Sequence, residues 1–404
     1  MTDPSSATTI VDRLMQLGAI SDEPGVLTRT FLSPAMHSVN ERVGQWMREA
    51  GLAVTCDAWG NVIGRMASPD PKAKTLLLGS HLDTVRNAGR YDGPLGVLLA
   101  LGACEEIRRE GISLPFHIDV VGFSDEEGVR FHSAYLGSKA IAGLITEEDL
   151  KLVDEGGTTL GQAVGKVGID SPPRYTADDL LGYVEAHIEQ GPVLETEGHA
   201  LGVVTAIAAQ SRYSCTLTGM AGHAGTTPMT LRQDALAGAA EFIALVEQVG
   251  QETSGLVATV GQLKVQPNVS NVIAQSATLF LDVRHAQSSV VAMAIDQLAQ
   301  EGLLLAERRR LTFVMEKVQS SDSVACDASL SDALGQAVKS CQPHVPYLIS
   351  GAGHDGVILS RIAPIAMLFV RCRNGLSHHP DEYVEPGDIA VALKALVTFI
   401  RELQ

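Results

Sequence analysis

A chain of 404 residues is too long for one ordinary hydrophobic core and favours two or three domains. With 45% hydrophobic and 19% charged residues it has the balance of a folded globular protein, not a disordered or fibrous one. A formal net charge of −17 argues against nucleic acid or an anionic membrane as the main partner, although a local arginine can still hold a small anion.

The first ten residues, Met1 to Ile10, are polar and lack a basic region followed by an apolar run. No stretch reads as the roughly 20 apolar residues of a membrane span, so cytoplasmic residence is the expectation. Six cysteines (Cys56, Cys104, Cys215, Cys326, Cys341, Cys372) lie far apart with no CxxC pair. Neither a zinc ribbon nor a disulfide framework is indicated, and buried free thiols in a reducing compartment are expected.

Residues 10 to 50 read as helical, with apolar residues at helical spacing in Val11, Leu14, Met15 and in Val43, Trp46, Met47. Thr75-Leu76-Leu77-Leu78-Gly79 is then an apolar run of the kind found in strands buried on both faces, and a helix follows over Gly96 to Glu110. Phe116 to Phe123 repeats the pattern and delivers Ser124-Asp125-Glu126-Glu127 at its carboxyl end, where ligands collect in open α/β sheets. From Gln210 the texture changes. An alternating strand at Tyr213–Thr218 leads into a helix at Asp234–Gln248 and strands around Val257–Val265 and Ala277–Arg284. A helix at Val291–Leu304 and a strand at Leu311–Val318 complete a βαββαβ order that would form a small α+β sandwich. After the polar break at Ser320–Ser323 the helix-then-apolar-strand pattern resumes. The fold expected is α/β, with a central mixed sheet flanked by helices over residues 1–210 plus 325–404 and a smaller α+β domain inserted at 211–324.

Three histidines and two carboxylates stand where strands run out into loops: His81, Asp92, Glu127, His187 and His378. Four N/O ligands close a structural zinc site and three leave one position for water, so five with one shared carboxylate would suit a two-metal hydrolase. Asp83, two residues from His81, can accept the proton of the ring nitrogen that faces away from a metal. Asp92 lies in a glycine-rich loop that can turn it back toward His81, although Asp92-Gly93 alone reads as a plain turn. Asp125-Glu126-Glu127 crowds three carboxylates, and a bound metal is the simplest cure. In an extended segment Glu126 and Glu127 project to opposite sides, one to bind metal and the other to take a proton from water. His187 ends another apolar strand, with Gln190 beside it. Spacing alone does not choose between His378 and His379.

The segments GSHLDTV, YDGPLG, FSDEEGVRF, HIEQGPVLE, GHAGTTPM, NVSNVI, LDVRH, SGAGHD and GLSHHPDEY occur in this order over nearly the whole chain. Together they resemble the zinc aminoacylase/carboxypeptidase-like amidohydrolases, in the branch of N-carbamoyl-L-amino acid hydrolases, allantoate amidohydrolases and β-ureidopropionases. The resemblance implies that His81, Asp92 and His187 bind one divalent metal and that Asp92, Glu127 and His378 bind a second, with His378 selected over His379 by the flanking Ser377 and Pro380. It also implies that Glu126 is the general base, that Asp83 supports His81, and that His187 marks the carbamoyl-hydrolase branch. The inserted domain becomes a lid and dimerisation domain. Its His223 would stabilise an oxyanion at the partner subunit's site, and Asn271 and Arg284 would hold the substrate carboxylate, with Gln190, Gly353 and His354 completing the pocket. Read from the residues alone, His223 is equally a turn histidine and Arg284 a surface residue. The expected activity is cleavage of the ureido amide of a small anionic substrate by a homodimer carrying zinc or manganese, with cobalt or nickel also suited. A dipeptidase or N-acyl-amino-acid deacylase is the alternative.

Overall fold

The computed structural model describes residues 4–403, so the reading of the polar N-terminus lies in part, at Met1–Asp3, outside the described residues. The chain forms two compact units, one of the described residues up to Thr205 together with those from Cys326 onward, the other Ala206–Ala325.

In the first unit the strands order as Ala53–Cys56, Val62–Met66, His117–Phe123, Thr75–His81, Leu180–Ile188, Ile365–Val370 and Leu201–Ile207, with Tyr347–Ser350 pairing the last. Four central neighbours, from His117–Phe123 to Ile365–Val370, run parallel, and antiparallel strands flank them. Their carboxyl ends therefore share one edge of the sheet. Every residue of Thr75–His81, His117–Phe123 and Ile365–Val370 is buried, which is why these strands read as unbroken apolar runs. Gly79 is required inside its strand, because a Cβ there would lie 1.9 Å from the Val121 carbonyl oxygen. Helices Pro4–Gly18, Pro94–Arg109, Ala328–Lys339 and Pro386–Glu402 pack together on the sheet around Leu14, Leu98, Leu101, Leu334, Leu393 and Phe399.

The second unit has the expected βαββαβ order. Its antiparallel sheet runs Thr312–Ser321, Ala209–Thr218, Ser276–His285, Val257–Gln266, with helices Ala235–Glu252 and Ser288–Arg309 packed on it through Phe242, Val246, Val291 and Leu298. The chain leaves and returns side by side, Ile207 opposite Val324 and Ala206 opposite Ala325.

Three expectations need correction. Residues 10 to 50 are not continuously helical: the first helix stops at Gly18 and the next starts at Pro34, its first turn capped by the Ser33 hydroxyl accepting from the Met36 amide. Proline at the first helical position and serine before it are start signals that the apolar spacing hid. Ser288–Arg309 is long and apolar enough by length and composition to cross a membrane, contrary to the sequence reading. Val291, Ala294, Ile295, Leu298, Leu305 and Ala306 bury one face of it in the second unit's core. Finally, the six thiols are all free but not all buried, since Cys56 is exposed and Cys326 and Cys341 are half-buried.

Candidate metal centre

Three parallel strands bring the candidate residues to one edge. Thr75–His81 ends on His81, His117–Phe123 feeds the bend carrying Glu126 and Glu127, and Leu180–Ile188 carries His187 one residue from its end. Asp92 stands before the helix Pro94–Arg109. Gly93 holds a left-handed conformation (φ 82°), and a Cβ on it would meet the His81 ring at 2.6 Å, so only glycine lets this loop close on the imidazole.

Asp92 is the centre of the cluster. Its Oδ1 lies 3.4 Å from His81 Nε2 and 3.1 Å from His187 Nε2, and its Oδ2 lies 3.2 Å from His378 Nε2. That same His378 nitrogen is 3.3 Å from Glu127 Oε1. His379 faces away, its Nδ1 accepting from the Asp381 amide at 3.1 Å. The donor groups among the described residues include His81–Asp92–His187 and Asp92–Glu127–His378, which share Asp92, each with its ligand atoms within 4.8 Å of one another.

The tautomers show what these groups need. His81 Nδ1 is 3.0 Å from the Asp83 carbonyl oxygen and His187 Nδ1 is 2.9 Å from the Ile188 carbonyl oxygen. A carbonyl only accepts, so each Nδ1 carries the proton and each Nε2 of a neutral ring points a lone pair at a carboxylate oxygen. Only positive charge between them relieves that opposition. The same field acts on the protons. Burial disfavours a charged His81, yet the Asp83 and Asp92 carboxylates outweigh it and hold the ring well above the ordinary histidine value. His378 is raised to about 10 by Asp92 and Glu127. Burial would raise Asp92, but His187, His378 and His81 hold it well below the usual carboxylate range. A His/carboxylate cluster, buried on the His81 and His187 side and open at His378, that stabilises cations this strongly fits divalent metals.

Asp83 ties the parts together. Its Oδ1 accepts from the Glu126 amide at 3.0 Å and its Oδ2 from the Glu127 amide at 3.1 Å, while Oδ1 stands 3.6 Å from His81 Nδ1. Glu126 is 8% exposed, and burial, reinforced by Glu127, Asp355 and Asp83 against the opposing pull of His81, pushes its carboxyl well up. The segment is a bend rather than extended chain. As a result Glu126 and Glu127 do not diverge to opposite sides: both reach within 4.8 Å of a His81 nitrogen and of each other. Asp125, in contrast, joins neither donor group. It turns off through a left-handed backbone (φ 57°), and burial, with Asp83 and Asp355 nearby, pushes its carboxyl well above the usual range.

Gln190 Nε2 donates to Asp92 Oδ2 at 2.9 Å and to Ser377 Oγ at 3.1 Å, and Ser377 donates to the same Asp92 oxygen at 2.5 Å. Gly353 packs under the Tyr135 hydroxyl. His354 is buried behind His187, its ring centroid 4.6 Å from that ring and its Nε2 2.7 Å from Ser350 Oγ, and burial keeps it neutral. The remaining candidates belong to the second unit. His223 pairs with Val272 across two short strands, and the Ala224 amide donates to the Asn271 carbonyl. His223 Nδ1 accepts from the Gly225 amide at 3.1 Å, leaving the proton on Nε2. Arg284 grips Asp282 with two nitrogens at 2.7 and 2.9 Å.

Glu382 was not foreseen. Its Oε1 accepts from the Tyr91 and Asp92 amides at 2.7 and 3.0 Å, fixing the backbone of the central carboxylate, and a Cβ on Gly89 would strike it. The signal was its place in the GLSHHPDEY segment, four residues beyond His378.

Residues 77–402 match the model of the Peptidase family M20/M25/M40. The chain belongs to this family. Within the M20 proteins it is 38% identical to "Allantoate deiminase 1" of Glycine max, covering 97% of this chain and 89% of that one. It is 39% identical to an N-carbamoyl-L-amino acid amidohydrolase of Geobacillus stearothermophilus, covering 97% of each. In structure it is similar to a hydantoinase/carbamoylase family amidase of Burkholderia multivorans, with a TM-score of 0.91, 34% identity and coverage of 98% of this chain and 97% of that one.

Proposed function

We propose that this M20 protein hydrolyses the ureido (carbamoyl) C–N bond of a small anionic substrate, an N-carbamoyl-L-amino acid or allantoate, releasing ammonia and carbon dioxide. The observation that carries the reading is Asp92, with imidazole nitrogens on both of its carboxylate oxygens and a buried carboxyl group, Glu126, held beside them by Asp83. Relatives whose names give allantoate and N-carbamoyl-L-amino acids support the substrate class.

His81, Asp92 and His187 would hold one divalent cation and Asp92, Glu127 and His378 a second. Zinc or manganese, with cobalt or nickel as alternatives, would polarise the scissile carbonyl and acidify the attacking water. Glu126 takes a proton from that water and delivers it to the leaving nitrogen. Asp83 keeps this base and His81 in register through the contacts it makes to both. Gln190 steadies Asp92 from the solvent side. In a homodimer, His223 offers its Nε2 proton to the developing oxyanion in the partner subunit's site, and Asn271 and Arg284 receive the substrate carboxylate. Gly353 and His354 close the pocket floor.

The test is ammonia release by metal-reconstituted enzyme from allantoate, N-carbamoyl-L-amino acids and N-carbamoyl-β-alanine, with dipeptides and N-acyl amino acids alongside. Glu126→Gln should lose roughly 100-fold or more in kcat with metal content retained. Full activity in that variant would sink the mechanism, and cleavage of dipeptides alone would move the chain to the peptidase reading.

A further inference from the structure

At the amino ends of the parallel strands, the edge away from His81 and Glu126, the first unit contains a cavity of about 440 Å³. Thr75 and His117, the first residues of two of these strands, line it. So do Arg65, Lys72, Lys74 and Arg174, facing two carboxylates, Asp178 and Asp179. Four cations in one concavity are a concentration in a chain of formal charge −17.

Asp119 takes Arg65, but neither lining acid is ion-paired with a lining cation among the described residues. Asp179 is turned into its own helix cap, accepting from the Thr176 amide and hydroxyl at 2.7 Å each. Lys72 and Lys74 are exposed and make no ion pair among the described residues. The guanidinium wall is built rather than loose. Arg65 is clamped on buried Asp119 at 2.7 and 2.8 Å, the Tyr175 hydroxyl donates to the same carboxylate, and Arg174 donates to that hydroxyl at 3.0 Å. Each arginine keeps at least one terminal nitrogen clear of this network.

His117 points to a ligand independently. It is 6% exposed, and its Nδ1 accepts from the Ser68 amide at 2.8 Å, which places the ring proton on Nε2. No group among the described residues takes that proton, and His117 is one of the residues that line the cavity. The His117 amide donates to the Lys74 carbonyl at 2.9 Å, tying the start of its strand to the lysine segment.

We propose that this cavity binds a small oxyanion, phosphate or carboxylate, at a site separate from the metal centre. Lys72 and Lys74 supply charge, Arg65 and Arg174 supply planar donors, and His117 Nε2–H supplies the buried, directional hydrogen bond. Asp178 limits the net charge accommodated, which favours a mono- or dianion over a polyanion.

Metal-loaded enzyme titrated calorimetrically with inorganic phosphate, and separately with succinate, at low ionic strength tests the site. Wild type should show one saturable component that weakens at least roughly tenfold in Lys72→Glu/Lys74→Glu and again in His117→Gln. Because phosphate also reaches metals, the decisive quantity is that difference, read with kcat/KM for the ureido substrate unchanged. The lysine substitutions are at exposed positions, and circular dichroism verifies their fold. The anion should also raise the melting temperature of wild type more than that of either variant. Binding of phosphate alone or succinate alone supports the site and names its occupant. Identical titrations in wild type and variants, or no saturable binding, would overturn it.

Discussion

Asp92 presents both carboxylate oxygens to imidazoles, and Glu382 holds its backbone from behind. Glu382→Ala leaves the Tyr91 and Asp92 amides without their acceptor. A partner of this kind is worth about 10- to 100-fold in metal affinity or activity, so competition with a chelator should show weaker metal retention than in wild type, and Glu382→Gln, which keeps an acceptor oxygen, should recover most of it. In the second unit, burial alone would raise the Asp282 carboxyl, yet Arg284, Arg212 and Gln210 hold it below its ordinary value. A carboxyl depressed in the folded state contributes stability that is full above the unfolded value of about 3.9 and is lost as pH falls through the folded one. Melting temperatures of Asp282→Asn and wild type should therefore differ at neutral pH and converge in acid. At this scale the sequence was informative about the candidate ligands and about Asp83, and silent about Glu382. His81, Asp92 and Glu127 advertise themselves by residue type at strand ends, whereas Glu382 acts through backbone amides that no side-chain pattern encodes.

The parallel strands and the helix after Asp92 aim the site, and their closeness is testable. A Cβ on Gly96 would lie 2.1 Å from the Ala186 carbonyl oxygen, next to His187, so Gly96→Ala must displace the helix or the strand. The expected outcome is a loss of roughly 1–3 kcal/mol on denaturant unfolding, accompanied by weaker metal binding, since both Asp92 and His187 border the contact. Unchanged metal affinity with reduced stability would show that the two elements give way elsewhere. The apolar runs at Thr75–His81 and His117–Phe123 were legible because strands buried on both faces have no polar alternation to lose. What stayed hidden was conformational. Asp125, Gln190 and His378 all adopt left-handed backbones without being glycine (φ 56–57°), and such strained positions are imposed by tertiary context. The Glu126–Glu127 bend was misread for the same reason, since two amides pulled onto one carboxylate override the local preference for extended chain.

The two units divide the work differently. The first carries every proposed metal ligand, and the second carries His223, Asn271 and Arg284. If the partner's His223 completes each site, mixing inactive Glu126→Gln with inactive His223→Ala subunits should restore activity in the mixed dimers, measured as ammonia release after subunit exchange. No recovery, with exchange demonstrated, would place His223 in its own subunit's site or outside catalysis. Support for association comes from Val314 and Val318, left 51% and 60% exposed on the edge strand Thr312–Ser321. The division into an α/β body and a βαββαβ insert was legible from the change of strand texture near Gln210, where all-apolar runs yield to alternation.

Asp83 has a consequence for how this protein can change. One carboxylate braces the His81 loop against the Glu126–Glu127 loop, so a change at Asp83 reaches both. If Glu126 and His81 have the roles proposed above, variation that retunes one without disturbing the other must bypass this residue. On that reading base and ligand would be altered together, and retuning of specificity would fall to the residues that meet the rest of the substrate.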